Sequence, residues 1–153
     1  MAARAIVVYE SKYGNTKLVA EEIGEGMKEA GVEASVREVK GVDVKNVSEY
    51  DAILLGSPNH VGGPTGGIKK FVDGLGTLSL QGKLFGAFDT YLGRDAGKAA
   101  GKIEKRLTEK VPGARLFSPA LSIRVAGMKG PVADGELPRC REYGEKAARE
   151  LGA

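Results

Sequence analysis

Residues 11–16, which read SKYGNT, contain the residue types that bind an anionic group. They follow the apolar run 5–9 and lead into a stretch with helical spacing. Ser11 and Thr16 can donate hydroxyl hydrogen bonds, and Gly14 permits a positive φ. The first N–H groups of a helix lack partners within it, and the helix dipole adds positive potential there. The segment predicts a phosphate-binding turn, although an ordinary N-cap at its end uses the same residue types.

Alternating strand and helix patterns surround this turn. Apolar or alternating runs predict strands at residues 3–9, 32–39, 50–56, 83–89 and 115–125, the last bent or split near Pro119. Spacings of three and four residues predict helices over 16–30, around 68–75, over 96–111 and over 137–151. This alternation predicts an α/β fold, a doubly wound five-stranded parallel sheet with right-handed crossovers. We expect residues 1–153 to form a single domain.

Two more loops resemble the first in composition and follow the third and fourth predicted strands. Residues 57–67 are rich in Gly and Pro and include His60, and residues 90–97 include Tyr91. In the strand order 2-1-3-4-5 the first, third and fourth strands are neighbours. Their loops therefore meet at the carboxyl edge of the sheet, where α/β proteins bind ligands. A phosphate turn beside a His and a Tyr predicts a cleft for a flat, aromatic, phosphorylated ligand.

Composition excludes several other classes of protein. The net charge of +3 is small, and Lys and Arg alternate with Glu and Asp, so we expect no nucleic-acid partner. No apolar run predicts membrane insertion, and the first residues lack the apolar body of a signal peptide. The single cysteine, Cys140, excludes an internal disulfide, and no Cys/His cluster predicts a metal site. We therefore expect a cytoplasmic protein, with Cys140 a buried, unreactive thiol on the last helix.

Competing nucleotide-binding motifs are incomplete. Residues 93–99 imitate a P-loop, but the spacing is one residue short and Ala99 stands where a Ser or Thr would bind Mg²⁺. No G-x-G-x-x-G follows the first strand. A phosphoacceptor domain of the same topology would need an Asp at the end of the third strand, where this chain has Ser57.

The chain resembles short-chain flavodoxins and flavodoxin-like FMN-binding proteins over nearly its whole length. Residues 11–16 are similar to the family's phosphate loop, 56–64 to its second flavin loop, and 88–91 occupy the place of its third. The resemblance implies FMN as cofactor. It implies these binding residues: Ser11, Lys12, Tyr13, Gly14, Asn15, Thr16, Ser57, Pro58, Asn59, His60, Gly62, Phe88, Asp89, Thr90 and Tyr91. It places Asn59 at the ribityl chain or ring, His60 against one flavin face, and Tyr91 against the other face or the pyrimidine edge.

The same resemblance implies two functions. One is electron transfer between two redox protein partners, a reductase and an acceptor, with no catalytic residue of the chain's own. The other is FMN-dependent reduction of quinones or nitro compounds by NAD(P)H. No insertion is long enough to build a nicotinamide pocket, which favours the electron carrier. His60, where carriers commonly have Tyr or Trp, and the positive net charge favour the enzyme.

The resemblance also leads to an expectation about the reduction potential. Fully reduced FMN carries a negative charge, which nearby carboxylates disfavour and nearby cations stabilise. Four basic residues are predicted around the cleft: Lys12, Lys69, Lys70 and Arg94. We therefore expect a semiquinone/hydroquinone potential that is less negative than in acidic flavodoxins.

Overall fold

The computed structural model describes residues 2–152 and contains a parallel sheet flanked by helices. Its strands are β1 (Arg4–Tyr9), β2 (Glu33–Glu38), β3 (Ala52–Pro58), β4 (Leu84–Tyr91), β5 (Arg115–Leu116) and β6 (Leu121–Arg124). The order is β2-β1-β3-β4-β5, and β6 also pairs with β4. The predicted doubly wound fold and strand order are confirmed. The fifth predicted strand is split into β5 and β6, on either side of residues 117–120.

The central strands are apolar because both of their faces are covered. Every residue of β1 after Arg4 is buried, and Val7 pairs with Val36 of β2 and Leu54 of β3. The edge strand β2 is only partly buried, which accounts for its alternating sequence. Continuous apolar runs therefore mark the strands that carry the site.

Four helices cover the two faces of the sheet: α1 (Asn15–Glu29), α2 (Gly66–Leu75), α3 (Lys98–Lys110) and α4 (Leu137–Gly152). One core cluster contains buried residues of α1 and α4, and the other contains those of α2 and α3. Between β2 and β3 the chain forms two short 3-10 helices, Val39–Gly41 and Val44–Glu49. Within residues 2–152, no helix combines the length and the apolar composition that crossing a membrane requires.

Helices α1 and α4 pack closely because glycines face each other's backbones. A Cβ at Gly26 of α1 would overlap the carbonyl oxygen of Arg141, and one at Gly144 of α4 would overlap that of Ile23. At the edge of this contact, Arg141 donates to Glu22 and Glu29, both at 2.6 Å. The contact fixes α4 against the helix that begins at the predicted phosphate turn.

Cys140 lies on the buried face of α4, as its position in the helical pattern predicted. Its side chain is fully buried, and burial raises the pKa of the thiol to about 12. At neutral pH the thiol is therefore protonated, which makes it a poor nucleophile.

The boundary between the fourth strand and the third loop was predicted two residues too early. Thr90 and Tyr91 belong to β4, where Thr90 pairs with Pro58 on one side and Ile123 on the other. Neighbouring strands on both sides extend β4 beyond its apolar run. The loop that follows therefore covers residues 92–97.

Candidate cofactor-binding cleft

An open cleft of about 660 Å³ lies at the carboxyl ends of β1, β3 and β4. Loops after these strands and after β6 supply its walls, as expected for an α/β protein that binds its ligand at the carboxyl edge of the sheet. Its lining consists of Glu10, Ser11, Lys12, Tyr13, Asn15, Thr16, Pro58, Asn59, His60, Val61, Thr65, Gly66, Gly67, Thr90, Tyr91, Leu92, Asp95, Val125 and Met128.

The first loop presents helix N–H groups that no side chain caps. Gly14, at φ 92°, occupies the N-cap position, and no side-chain hydrogen bond caps the helix. Ser11 Oγ accepts a hydrogen bond from Gly14 N at 3.0 Å, which closes the turn one step before the helix. The alternative of a side-chain N-cap at the end of this segment is therefore wrong. The first amides of α1 remain available to an anion.

Thr16 connects this loop to the centre of the sheet. Its side chain is 1% exposed, and Thr16 Oγ1 lies 3.0 Å from Thr90 Oγ1 on β4. Either hydroxyl can be the donor. If Thr90 donates, the hydroxyl proton of Thr16 is free for a ligand in the cleft.

Buried polar contacts hold the second loop in place. Ser57 Oγ donates to Pro58 O at 2.7 Å and accepts from Thr65 N at 2.9 Å, which ties the two ends of the loop together. Asn59 Nδ2 donates to Thr90 O at 3.1 Å, and Asn59 Oδ1 accepts from Ala99 N at 2.9 Å. Both functional atoms of the Asn59 amide are thus engaged within the protein, and the residue is fixed between β4 and the start of α3.

His60 lies at the base of a tight turn at the cleft. His60 N donates to Gly63 O at 2.7 Å, and Gly63 N donates to His60 O at 3.1 Å. The two residues between them, Val61 and Gly62, have φ of 52° and 71°. This is the backbone of a two-residue hairpin turn with positive φ at both central positions. The exposed imidazole of His60 and the half-buried ring of Tyr91 both face the cleft.

Asp89 lies behind the cleft and does not line it. Its buried Oδ2 accepts from Ala100 N at 2.9 Å, and its Oδ1 accepts from Ser122 Oγ at 2.5 Å. Ser122 Oγ in turn accepts from Gly97 N at 2.8 Å, so the carboxylate anchors the start of α3 to β4 and β6. Burial raises the pKa of Asp89, although the hydrogen bonds from Ser122 and Ala100 partly oppose that shift.

The structure thus brings together ten of the fifteen predicted binding residues. Gly14, Ser57, Gly62, Phe88 and Asp89 are absent from the lining. Gly14, Ser57 and Gly62 shape the backbone of the lining loops. Phe88 is fully buried, with its ring where a Cβ of Gly56 would have to be. Of the four predicted cations, only Lys12 lines the cleft.

Nine lining residues were not among the predicted binding residues. Six of them lie in the predicted second and third loops: Val61, Thr65, Gly66, Gly67, Leu92 and Asp95. The other three lie outside all three predicted loops. Val125 and Met128 belong to the loop after β6. Because β6 also ends at the carboxyl edge of the sheet, the reasoning that placed the other three loops at the cleft predicts this fourth loop as well. Glu10 follows β1 directly, and its position gives no such signal. Its Oε1 is buried without a hydrogen-bond partner in the described part of the chain, and a Cβ added at Gly67 would lie 2.6 Å from it.

The arrangement fits a flat ligand with an anionic end. Uncapped amides and the hydroxyl of Thr16 lie at one end of the cleft, whereas His60, Tyr91 and apolar side chains line the rest. Among residues 2–152, no three His, Cys, Asp or Glu side chains are grouped closely enough to hold a metal ion.

Comparisons with known proteins identify relatives of this chain. A family model described as flavodoxin matches residues 7–136. A flavodoxin of Clostridium saccharobutylicum is 35% identical over 85 residues, covering 55% of this chain and 53% of that protein. An NAD(P)H dehydrogenase (quinone) of Caulobacter vibrioides is 29% identical over 120 residues, covering 63% of this chain and 60% of that protein. The chain thus spans little more than half the length of these relatives.

A solved structure matches over almost its full length. A flavodoxin from the domain Archaea superposes with a TM-score of 0.86 at 32% identity, covering 98% of this chain and 99% of that one. Coverage of both chains is therefore nearly complete, and the two share one fold.

Proposed function

The chain belongs to the flavodoxin family, and on that premise we propose that it shuttles electrons between two redox proteins, a reductase and an acceptor. FMN is the cofactor of this family, and the chain is accordingly an FMN-binding electron-transfer protein. The observation that carries the proposal is the convergence of four loops on one cleft with an uncapped helix N-terminus at its end.

The residues of the cleft have separable tasks in this proposal. The amides that begin α1, together with Ser11 and Thr16, hold the phosphate. The turn at His60 and the ring of Tyr91 cover the flavin and exclude water from it. FMN supplies the ability to carry single electrons, and Asn59 fixes the distance between the two covering segments through its contacts to Thr90 and Ala99.

A second candidate is an FMN-dependent NAD(P)H:quinone or nitro-compound reductase. The relative of Caulobacter vibrioides named as a quinone dehydrogenase supports it, at 29% identity. The match to the archaeal flavodoxin is higher in identity and covers 99% of that chain, whereas only 60% of the dehydrogenase is matched. The electron carrier is therefore the better supported of the two.

One pair of measurements tests both candidates. Titration of the protein with FMN, followed by the loss of flavin fluorescence, measures binding, and the visible spectrum of the complex identifies the flavin. NADPH oxidation is then measured with the FMN-loaded protein and a quinone. The shuttle predicts no turnover until a separate reductase is added. Rapid turnover by the protein alone would instead establish the enzyme.

A further inference from the structure

We propose that the mouth of the cleft docks an acidic redox protein, through a centre of exposed apolar side chains and a border of cations. This inference rests on the proposed function, because a docking surface is needed only if electrons pass between proteins. It adds the chemistry of the partner, which neither the fold nor the relatives specify.

The apolar centre consists of four side chains from four different loops. Six large apolar side chains of residues 2–152 are exposed, and four of them line this cleft. They are Tyr13, Val61, Leu92 and Met128, which we call the apolar mouth. Val61 is 94% exposed and Met128 is 72% exposed. Scattered apolar residues on a surface are ordinary, but their concentration around one opening is typical of an interaction site.

The backbone at Val61 strengthens this interpretation. Val61 has φ 52°, and it is the one non-glycine residue with positive φ in the described part of the chain. A β-branched side chain is strongly disfavoured in that conformation, and hairpin turns of this kind prefer Asn or Gly. Within the monomer the side chain gains almost no burial in return for this strain. Bound FMN or a partner at the mouth would supply the missing burial, and the FMN affinity of a Val61 variant distinguishes the two.

Cations lie directly outside the apolar mouth. A Cβ added at Gly63 would lie 3.6 Å from Lys102 Nζ, so this ammonium group lies against the turn that carries Val61. Lys129 is exposed and follows Met128 in the chain, and Arg94 is exposed two residues after Leu92.

The nearby carboxylates do not cancel these charges. Asp95 is paired with Lys98 at 3.0 Å, and Glu136, on the loop of Met128, is paired with Arg139 at 2.9 Å. Glu10 holds one carboxylate oxygen buried inside the cleft. Asp134 is exposed further along the loop of Met128, outside the cleft lining like the three cations, so it offsets one of them. The unpaired charge at the border is therefore positive, and it would attract and orient a negatively charged protein.

The test uses two redox proteins of opposite charge as probes. In the first reaction, one electron leaves the reduced cluster of an acidic [2Fe–2S] ferredoxin and reduces the FMN-loaded protein. In the second, one electron passes from the reduced FMN-loaded protein to the ferric haem of a basic c-type cytochrome. No bond is made or broken in either transfer. Stopped-flow absorbance gives both second-order rate constants as a function of ionic strength.

Opposite salt dependences are expected for the two probes. The rate constant with ferredoxin should fall about tenfold when the ionic strength rises from about 0.02 M to about 0.2 M, because salt screens attraction. The rate constant with the cytochrome should rise or stay level. A ferredoxin rate that rises with salt would overturn the proposal.

Matched charge reversals localise the effect. Lys102→Glu combined with Lys129→Glu should lower the ferredoxin rate constant about fivefold to tenfold at low salt. The control combines Lys45→Glu with Lys110→Glu, which changes the total charge equally. Lys45 lies before β3 and Lys110 ends α3, both at the opposite edge of the sheet. An equal loss in the control would show that only total charge matters, which would overturn the proposal.

Val61→Asn tests the apolar centre. It should raise the urea midpoint of unfolding because Asn tolerates positive φ, yet it should lower the ferredoxin rate constant at high salt, where charges are screened. A stabilised variant with an unchanged rate at high salt would contradict a role for Val61 in docking.

Three further measurements separate the possible failures. FMN affinity and reduction by dithionite are measured for every variant. A protein that takes up no FMN, or no electrons, would overturn the proposed function and this inference together. A protein that is loaded and reduced normally but does not distinguish the two probes would overturn the docking surface alone. Sedimentation that shows dimers through the apolar mouth, lost in Val61→Asn, would assign the surface to a second copy and overturn the acidic partner.

Discussion

Thr16 Oγ1 and Thr90 Oγ1 lie 3.0 Å apart in the interior, and this contact joins the first turn of α1 to the end of β4. Two residues that are 74 positions apart in sequence thereby hold the start of α1 and the end of β4 at a fixed distance. The side of the cleft assigned to the phosphate is coupled in this way to the strand that ends in Tyr91. Thr16 consequently has two tasks, one within the protein and one toward FMN.

Thr16→Val should weaken FMN binding about 10- to 100-fold. The valine keeps the shape of the side chain but removes its hydroxyl, and a hydrogen bond to a charged group contributes about 1.5–3 kcal/mol. Fluorescence titration of FMN measures the dissociation constant.

Two control variants separate the tasks of Thr16. Thr16→Ser keeps the hydroxyl and should bind FMN nearly as tightly as the wild type. Thr90→Val removes only the internal partner, so it should lower stability by about 1 kcal/mol with a smaller effect on FMN. Equal FMN affinity in Thr16→Val and the wild type would exclude Thr16 as a phosphate ligand.

The parts of the site that follow from local sequence were predictable, and the parts that depend on neighbouring strands were not. Residues 11–16 carry their own chemistry, and the apolar runs identified β1, β3 and β4 directly. Tyr91 was assigned to a loop because nothing local shows that Val125 N donates to its carbonyl and extends the strand.

The orientation of the Asp89 side chain also could not be predicted from local sequence. Its predicted place at the cleft came from the resemblance, which puts residues 88–91 in the place of the family's third flavin loop. Residues alternate between the two faces of a strand, so Asp89 and Thr90 point in opposite directions. Only the fold shows that Ser122 and the start of α3 lie on the side of Asp89.

Replacement of Asp89 by Asn should change how stability depends on pH. Burial raises the pKa of Asp89 in the folded protein above its unfolded value near 3.8, so the folded state binds the proton more tightly. The contribution of Asp89 to the free energy of unfolding therefore becomes more favourable as the pH falls through the raised pKa, and less favourable as the pH rises through it. The amide that replaces the carboxyl group cannot titrate. Urea unfolding is measured at several pH values between about 7 and 4. As the pH falls, the free energy of unfolding of the wild type should increase relative to that of Asp89→Asn.

Asp89→Ala serves as the second variant for this position. It leaves Ala100 N and Ser122 Oγ without their acceptor, which should cost about 1–3 kcal/mol for each unsatisfied donor. A difference between wild type and Asp89→Asn that is constant over this pH range, or that shrinks toward acid, would contradict the raised pKa.

Glu10→Gln should make the reduction potential of bound FMN less negative. Glu10 lines the cleft with one carboxylate oxygen buried and unpartnered among the described residues, and a negative charge there disfavours an additional electron on the flavin. Gln keeps the shape and removes the charge. The expected shift is on the order of tens of millivolts, since the two charges interact through a partly solvated cleft.

A redox titration of the FMN-loaded protein measures this shift. Glu21→Gln, an exposed change on α1, is the control for net charge and should leave the potential nearly unchanged. Equal shifts in both variants would show that the effect of Glu10 is not local. An unshifted potential in Glu10→Gln would place the buried carboxylate too far from the flavin to matter.

Gly26→Ala and Gly101→Ala should change stability in opposite directions, although both place the same methyl group in a helix. At Gly26 the new Cβ would overlap the carbonyl oxygen of Arg141, so α1 and α4 must separate, at a cost of about 1–3 kcal/mol or more. A Cβ added at Gly101 on α3 would have no neighbouring atom within 4 Å outside its own helix turn, and alanine should stabilise the helix by about 0.5–1 kcal/mol. Urea unfolding measures both free energies.

Because α1 also presents the phosphate amides, its displacement in Gly26→Ala should weaken FMN binding as well, whereas Gly101→Ala should leave that affinity unchanged. Equal stability changes in the two variants would show that the close approach of α1 and α4 does not depend on Gly26.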